Sequence, residues 1–286
     1  MILIADSGST KTHWCLLTAS GQRSEFKTEG INPYFQTEEA IRSNVADTLL
    51  PQMGQLLWVG SVTRIFFYGA GCTPEKSPMV ASALKAVFRH AEVEVNSDML
   101  GAARALLQHS EGVACILGTG SNSCHYDGEK FVKNVPALGF ILGDEGSGAV
   151  LGKRLVADLL KNQLSEELKE QFLSENNLTQ AEIIDRVYRQ PFPNRFLASL
   201  SKFCAEHMDK PMIRNLVYYH FEEFVNRILR QYPPVPVGFV GSIAYYYREE
   251  LEKVLRNNHV QLAQIVQSPM EGLITYHQTD AQPTML

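Results

Sequence analysis

Length, composition and charge already narrow the class of protein. The chain has 286 residues, 45% of them hydrophobic and 20% charged, and its 26 basic and 31 acidic side chains give a net charge of −5. This length suggests about two domains, and the composition is too apolar for a disordered chain. The sequence has no run of about 18 uncharged apolar residues, so we expect no membrane span. The acidic excess argues against nucleic acid as a partner.

The cysteines and the first residues indicate a cytoplasmic protein. Residues 1–6 lack a basic start and soon reach a carboxylate, so they are predicted to form a buried strand rather than a signal peptide. The cysteines are odd in number and form no C-x-x-C pair, which favours a reducing compartment and gives no support for zinc or an iron–sulfur cluster. They are Cys15, Cys72, Cys115, Cys124 and Cys204. The sequence leaves the oligomeric state open, a homodimer included.

The first part of the chain alternates predicted strands and helices. An apolar strand at residues 2–6 ends in a Gly/Ser/Thr turn, and two further strand-like runs follow, separated by Ser20-Gly21. Beyond them we predict helix 37–50 with Thr37 as its N-cap, strand 64–68, helix 77–90, strand 91–95, and helix 99–109 capped by residues 96–98. Such alternation predicts a mostly parallel sheet with helical cover, an α/β fold.

The second part begins with an echo of the first. An apolar run at residues 113–117 is followed by a Gly/Ser/Thr turn, a second strand and another turn at Asp127-Gly128. Two such β-hairpin units predict two halves of similar design, with a boundary between residues 111 and 112. The remainder is predicted as helices 146–161, 165–173, 179–189, 194–207 and 210–231, strand 235–240, helix 242–255, strand 260–266 and a helical turn at 271–276.

The turns after the two apolar runs could bind phosphate. Gly, Ser and Thr gather where backbone N–H groups converge on an anion without obstruction by Cβ atoms. Neither turn matches a Walker A or Rossmann pattern, and one such turn alone is more often a tight hairpin. Two in corresponding positions favour a pair that holds a polyphosphate from both sides, as in actin-like, ribonuclease-H-like ATPases.

Asp6 ends the first predicted strand. There it could hold Mg²⁺, through water because Mg²⁺ loses its hydration shell reluctantly, or it could cap its own turn. Lys11, just beyond the turn, could reach a phosphate or remain solvated. The sequence leaves these alternatives open.

Asp98 lies where a strand is predicted to end and a helix to begin. It could simply be the N-cap of that helix. However, α/β sheets bind ligands at the carboxyl ends of their strands. Phosphoryl transfer needs in-line positioning, charge neutralisation and a carboxylate that accepts the hydroxyl proton. Asp98 is the candidate for this general base.

Three further segments could contact a ligand. Asp144 and Glu145 lie among small residues before a predicted helix, either as a plain helix start or where the backbone approaches a sugar. Asn32 precedes a proline and, considered alone, is a turn residue. Gly241-Ser242 is a strand-to-helix corner that suits an adenosine or a phosphate, or is only a turn. The tyrosines at 245–247 are predicted to lie on a helix with one face packed rather than to form a stacking platform.

Together these residues resemble the BadF/BadG/BcrA/BcrD ATPase family and, within it, the N-acetylglucosamine kinase branch. The similarity spans residues 2 to about 276, and its most specific parts are G-T-G-S-N at 118–122 and G-D-E-G-S at 143–147. The resemblance implies two ribonuclease-H-like domains hinged around a cleft. They would be residues 1–111 and 112–286, with a helical insertion at about 146–231.

The resemblance further implies an ATP-dependent sugar kinase that makes a 6-phosphate with ATP and Mg²⁺. Asp98 would accept the proton of the sugar 6-hydroxyl, and Asp6 would hold the metal ion through water. The nucleotide would contact residues of the glycine-rich turns, namely Asp6, Gly8, Ser9, Thr10, Lys11, Gly118, Thr119, Gly120, Gly241 and Ser242. The sugar would be held by Asn32, Asp98, Ser121, Asn122, Gly139 and Asp144.

The sequence departs from the family at two places. Ser7 and Ser9 replace glycines that are common in the first loop, and the stretch at Gly139 has Leu138 and Phe140 where sugar-binding relatives can carry a tryptophan. Glucosamine, N-acetylglucosamine and N-acetylmuramic acid therefore all remain candidate substrates. Two other functions stay open: an ATPase that activates a 2-hydroxyacyl-CoA dehydratase through a cysteine-held cluster, and a non-catalytic sugar sensor.

Overall fold

The computed structural model describes residues 1–8, 10–54 and 61–280. The chain divides into two units, one formed by residues up to Gln108 together with those from Pro269 on, the other by His109–Ser268. Each unit contains one five-stranded sheet. No helix within the described ranges is long and apolar enough to cross a membrane.

The first unit is built on five strands: β1 (Ile2–Ser7), β2 (Lys11–Leu17), β3 (Arg23–Glu29), β4 (Arg64–Gly69) and β5 (Glu92–Ser97). Their order across the sheet is β3-β2-β1-β4-β5. The first three pair antiparallel as hairpins, whereas β4 and β5 run parallel to β1. The carboxyl ends of β1, β4 and β5 therefore lie at the same edge of the sheet.

The second unit repeats this design with β6 (Gly112–Leu117), β7 (Ser121–Tyr126), β8 (Phe131–Asn134), β9 (Val237–Val240) and β10 (Leu262–Val266). The order β10-β9-β6-β7-β8 is that of the first sheet read from the opposite edge. Again the hairpin strands are antiparallel, and β9 runs parallel to β6. The repeated topology confirms the predicted internal echo.

The helices of the first unit up to Gln108 are α1 (Glu38–Asn44), α2 (Leu50–Met53), α3 (Ser77–Val87) and α4 (Asp98–Leu107). All except α2 begin where the sequence predicts or within a residue of it. Thr37 is the N-cap of α1, and its hydroxyl accepts the N–H of Ala40 at 3.3 Å. A π-helical turn, Val45–Leu49, joins α1 to α2.

The helices of the second unit lie mostly between β8 and β9, where the sequence predicts a helical insertion. They are α5 (Gly139–Leu142), α6 (Gly148–Leu160), α7 (Glu166–Glu175), α8 (Gln180–Tyr188), α9 (Pro193–Leu200), α10 (Lys202–Glu206), α11 (Pro211–Arg227), and, after β9, α12 (Ser242–Tyr246) and α13 (Arg248–Asn257). The predicted helices 194–207 and 242–255 are each broken in two. The breaks are linked, since the Tyr247 hydroxyl donates to the Ser201 carbonyl.

The last helix, α14 (Met270–Asp280), packs on the first unit rather than within the predicted second domain, 112–286. Gly272 lies so close to α4 that a Cβ there would be 2.2 Å from the carbonyl oxygen of Ala105. Leu273 and Ile274 are fully buried in the same cluster as Ile4 of β1. The boundary between the units falls at Gln108/His109 instead of 111/112. Tertiary packing decides which core an apolar helix face joins.

Two buried histidines are expected to make the stability of the fold depend on pH. His220 on α11 and His277 on α14 are 1% and 3% exposed, and burial lowers their pKa from 6.5 to about 4 and about 3. Both stay neutral in the folded chain, whereas the unfolded chain takes up protons below pH 6.5. Their contribution is therefore full above that pH and is lost as pH falls. The free energy of unfolding should drop by on the order of 1–2 kcal/mol per histidine between pH 7 and pH 5.

Urea denaturation at the two pH values measures this effect. We expect His220→Leu to show a smaller difference between pH 7 and pH 5 than the unsubstituted chain. His90→Gln alters an exposed histidine and should leave the difference unchanged. Equal differences in all three proteins would show that His220 does not titrate on unfolding.

Candidate active site

Two carboxylates lie at the carboxyl edge of the first sheet. Asp6 is the penultimate residue of β1, and Asp98 directly follows β5. Burial and, to a smaller extent, the negative charge of Asp98 raise the pKa of Asp6 to about 7, although the positive charge of the nearby Lys11 opposes both. Asp98 is therefore close enough to Asp6 for the two charges to interact. The sequence placed both residues at strand ends, and the parallel pairing brings them to one edge.

Asp98 is the first residue of α4, but it is not the N-cap. Ser97 takes that place, and its hydroxyl accepts the N–H of Leu100 at 3.2 Å. Asp98 Oδ1 accepts the N–H of Met99 at 2.9 Å, and desolvation raises the pKa of the carboxyl. The capping role that the sequence allowed for Asp98 is thus performed by its neighbour, which leaves this carboxylate for another task.

The β1–β2 turn is closed by its own backbone. The N–H of Gly8 donates to the carbonyl of Lys11 at 3.0 Å. The buried Ser7 hydroxyl lies 2.7 Å from that of Thr12, donates to the carbonyl of Ile31 and accepts its N–H. Gly8, Thr10 and Lys11 are exposed, as phosphate contacts require. Ser9 lies outside the described residues.

Asn32 lies against the loop that follows β4. Its Oδ1 accepts the N–H of Tyr34 at 3.0 Å, and its own N–H donates to Gln36 Oε1 at 2.9 Å. Gly71, with φ +78°, approaches so closely that a Cβ would be 2.5 Å from Asn32 Oδ1. The side chain is 8% exposed. Asn32 therefore belongs to the end of β4, between the strands that carry the two carboxylates.

In the second unit the turn after β6, at Gly118, and the corner after β9, at Gly241, are in contact. Gly241, which follows β9, has φ +121°, and a Cβ there would be 2.3 Å from the carbonyl oxygen of Leu117 at the end of β6. The turn after Leu117 is pinned to the start of α6: the carbonyl of Gly118 accepts the N–H of Gly148 at 2.8 Å, and that of Thr119 accepts the N–H of Ala149 at 3.1 Å. The predicted nucleotide residues Gly118, Thr119, Gly120, Gly241 and Ser242 thus form one corner.

Asp144 contacts two other predicted sugar residues, Ser121 and Gly139. Burial raises the pKa of its carboxyl, while hydrogen bonds from the backbone N–H groups of Ser121 and Gly139 lower it. A Cβ on Gly120 would be 3.0 Å from Asp144 Oδ2. Asp144 has φ +56°, and its N–H donates to the carbonyl of Ala137 at 2.8 Å. The carboxylate is thereby held at the end of β6 with one side in solvent.

Asn122 has a structural contact besides its predicted role. Its Oδ1 accepts the N–H of Ser123 at 2.9 Å and Nδ2 of Asn134 at 3.1 Å. The bond from Asn134 ties β7 to β8. Any contact of Asn122 with a sugar must therefore come from the rest of its side chain.

A cavity of about 520 Å³ opens at the glycine corner, within the volume range of ligand pockets. It is lined by Gly118 and Thr119 on one side, and also by residues of α9, α10 and α12. The latter include Arg195, Ala198, Ser199, Lys202, Ser242, Ile243 and Tyr246. All of these residues belong to the second unit.

The sequence analysis missed most of the walls of this cavity. Residues 195–202 were predicted only as helix, because their spacing gives no sign of a ligand. Tyr246 and Tyr247 both line the cavity, but Tyr246 is 63% exposed whereas Tyr247 is 3% exposed and also packs in the core. The prediction of a helix with one face packed is confirmed at Tyr247, whereas Tyr246 lies on the exposed side. The turn at Gly118-Thr119 and the corner at Gly241-Ser242 were the signals in the sequence that pointed here.

A search of the solved structures finds a close relative. The chain is 50% identical to a protein of Porphyromonas gingivalis whose crystal structure is described as that of a "putative N-acetylglucosamine kinase", with a TM-score of 0.94 over 99% of this chain and 100% of that one. The chain belongs to the same sugar kinase family. Its finer placement in the BadF/BadG/BcrA/BcrD family stays a prediction. No protein-family model matches the chain, and a search of curated proteins gives no match.

More distant structures share the fold. A "putative N-acetylglucosamine kinase" of Chromobacterium violaceum is 19% identical over 96% of this chain and 98% of its own, with a TM-score of 0.74. A ROK family glucokinase of Streptomyces griseus, in complex with glucose and AMPPNP, is 16% identical over 97% and 98%, with a TM-score of 0.57. These likenesses confirm the predicted α/β fold of two ribonuclease-H-like, actin-like domains.

The residues at the carboxyl edge of the first sheet fit a Mg²⁺ ion held through water. Within the described ranges no group of three or more His, Cys, Asp and Glu could enclose a metal ion. Mg²⁺, however, usually keeps several waters and needs only one or two protein carboxylates. Asp6 and Asp98 concentrate negative charge there, which a hydrated cation would relieve.

Proposed function

We propose that this sugar kinase transfers the γ-phosphoryl group of ATP to the 6-hydroxyl of an amino sugar. The substrate is N-acetylglucosamine or a close relative, glucosamine or N-acetylmuramic acid. The observation that carries the proposal is the position of Asp98. Its carboxylate does not cap α4, and it lies near Asp6 at the carboxyl ends of the parallel strands β1, β4 and β5. The identity to the Porphyromonas gingivalis protein supports the substrate class.

Asp98 acts as the general base. Its carboxylate accepts the proton of the sugar hydroxyl while the sugar oxygen bonds to the γ-phosphorus and the bond to the β-phosphate oxygen breaks, releasing ADP. Its pKa, raised by desolvation, makes it a better proton acceptor than an ordinary aspartate. Lys11 and the backbone of the β1–β2 turn offset negative charge on the phosphates.

Asp6 would hold Mg²⁺ through water. The ion, when bound, neutralises charge on the β- and γ-phosphates. Asp6 orients the hydrating water by accepting its hydrogen bonds and therefore works as a carboxylate.

The cavity of the second unit accepts the nucleoside part of ATP. The exposed ring of Tyr246 offers a face for the base, and Lys202 adds positive charge at the wall. The backbone at Gly118 and Gly241 comes close to the phosphates, because neither residue has a Cβ in the way. Asp144 and Asn32, each fixed by backbone N–H groups, accept hydrogen bonds from sugar hydroxyls.

A panel of sugars with ATP and Mg²⁺ in a coupled ADP assay tests the function. We expect ADP release to depend on glucosamine, N-acetylglucosamine or N-acetylmuramic acid, and phosphorus NMR of the product to show coupling to the protons on C6. The 6-deoxy analogue of the best substrate should give no product. ADP release that is independent of added sugar would refute the kinase proposal.

The alternative role as a dehydratase activator requires cysteine thiolates that can bind a cluster. Here all five cysteines are buried as free thiols. Burial raises the pKa of Cys72 and Cys124 to about 12, which disfavours the thiolate that a cluster needs. The observed cysteines therefore favour the kinase over the activator.

Filling the nucleotide cavity should weaken ATP binding alone. Ser199 is exposed and lines the cavity, so Ser199→Trp adds a large ring without disturbing the core. We expect KM for ATP to rise at least about 10-fold, with KM for the sugar unchanged. Ser174→Trp places the same ring on an exposed position of α7 and should leave both constants unchanged. Equal KM values for ATP in the two variants would place the nucleotide elsewhere.

A further inference from the structure

A buried polar cluster in the first unit takes no part in the mechanism above. Tyr68 on β4 is fully buried, its hydroxyl accepts from Arg104 Nη1 at 2.7 Å, and it lies 2.8 Å from His277 Nε2. Arg104 also donates to Glu94 on β5 at 2.9 Å. Such groups restrain one another strongly, because each lost bond leaves an unpaired polar atom in a medium of low dielectric constant.

The direction of each bond follows from donor capacity. Arginine only donates, so the Tyr68 oxygen accepts from Arg104, and in the His277 tautomer that leaves Nε2 unprotonated the Tyr68 proton is donated to Nε2. Burial, reinforced by the charge of Arg104, lowers the pKa of His277 to about 3, so the ring stays neutral near pH 7. The ring is also stacked on Phe66, with 3.6 Å between centroids. The hydroxyl of Tyr68 is therefore held from two sides.

Tyr68 and the helix that carries His277 both pack against α4. Gly101 lies against Tyr68, since a Cβ there would be 2.8 Å from the Tyr68 Cβ. On the other side α14 approaches through Gly272, whose carbonyl accepts Nε2 of Gln108 at 3.1 Å. Helix α4 is thus fixed between β4 and α14, with Arg104 less than two helical turns from Asp98.

We propose that Tyr68, Arg104 and His277 form a clamp, the α4 clamp. It fixes the position of α4 so that the Asp98 carboxylate lies within hydrogen-bond distance of the sugar hydroxyl. This inference rests on the proposed function, because it takes Asp98 as the base. The three side chains are positioning residues and act through Asp98. Displacing a catalytic group by about 1 Å can cost on the order of 100-fold in rate. The last helix of the chain is thereby part of the machinery of the first unit.

Kinetics of matched variants test the α4 clamp. Tyr68→Phe and His277→Leu should lower kcat at least about 10-fold, with KM for ATP and for the sugar within about two-fold. His277→Gln should retain most of kcat, because its amide oxygen can accept the Tyr68 proton. The control is Tyr218→Phe, which removes a partly buried hydroxyl bonded to Glu222 and Asn257 in the second unit and should leave kcat unchanged.

Hydrogen exchange gives a second measure that does not depend on catalysis. In Tyr68→Phe and His277→Leu, the amides of α4 should exchange faster than in the unsubstituted chain, while those of α3 keep their rates. Unchanged exchange in α4, kcat equal to that of Tyr218→Phe, or failure of His277→Gln to rescue would each overturn the clamp. If the unsubstituted chain phosphorylates no sugar, the proposed function is refuted. The hydrogen-exchange rates of the α4 amides then test by themselves whether the three side chains hold α4. If Tyr68→Phe does not fold, the His277 pair carries the test.

Discussion

Replacing Asp98 by asparagine is expected to abolish sugar phosphorylation and to leave the fold intact. The amide cannot accept the hydroxyl proton, so kcat should fall by about 10²- to 10⁴-fold. The start of α4 should survive, because Ser97 provides the cap and the oxygen of an asparagine can still accept the Met99 N–H. Desolvation opposes the charged form of Asp98, so its removal should not lower the free energy of unfolding.

The matched control for this substitution is Asp127→Asn. Asp127 lies in an exposed turn, where its Oδ1 accepts the N–H groups of Glu129 and Lys130 at 2.9 Å each. We expect unchanged kcat there. Steady-state kinetics and thermal denaturation of both variants separate a chemical defect from a folding defect. Turnover of Asp98→Asn within a few-fold of the unsubstituted enzyme would remove Asp98 as the base.

Gly241→Ala is expected to destabilise the second unit severely and to abolish nucleotide binding. At φ +121° an L-residue is strained, and the added Cβ would be 2.3 Å from the oxygen and 2.7 Å from the carbon of the Leu117 carbonyl. These are backbone atoms of β6, and they cannot move without disturbing the pairing of Leu117 with Ser121 of β7. The loss should be on the order of 3 kcal/mol or more. The turn at Gly118, next to the displaced carbonyl, would move with it.

Gly21→Ala separates strain from steric overlap. Gly21 has φ +82°, and nothing lies within 4 Å of an added Cβ, so only conformational strain of about 1 kcal/mol is expected. Thermal denaturation and binding of a non-hydrolysable ATP analogue should be measured for both variants. Equal stability losses would show that the contact between Gly241 and Leu117 has no structural role.

Local patterns were enough to predict the repeated design. The two hairpins depend on short apolar runs and tight turns, and both formed at the predicted residues because such contacts are near in sequence. Thr37 was correctly predicted as an N-cap, since capping involves residues three apart. Asp98 was placed correctly at a strand end, but the cap went to Ser97, because a shift of one residue decides which side chain reaches the helix N–H groups.

The residues that build the cavity could not be predicted in the same way. Ser199 and Tyr246 lie on separate helices, and no spacing in the sequence connects them. They line the same cavity next to the breaks in their helices at Ser201 and Tyr247, and a hydrogen bond joins these two distant residues. Likewise, His277 meets Tyr68 across 209 positions of the chain.

The sequence by itself determined the strands, the glycine turns and the acidic residues at strand ends, because these follow from interactions between neighbours in the chain. Only the tertiary structure decided that Asp6 and Asp98 share one sheet edge and that Gly241 presses on Leu117. It also decided that the last helix joins the first unit. Each of these depends on close packing between segments far apart in sequence, where the fit of one surface to another sets the free energy.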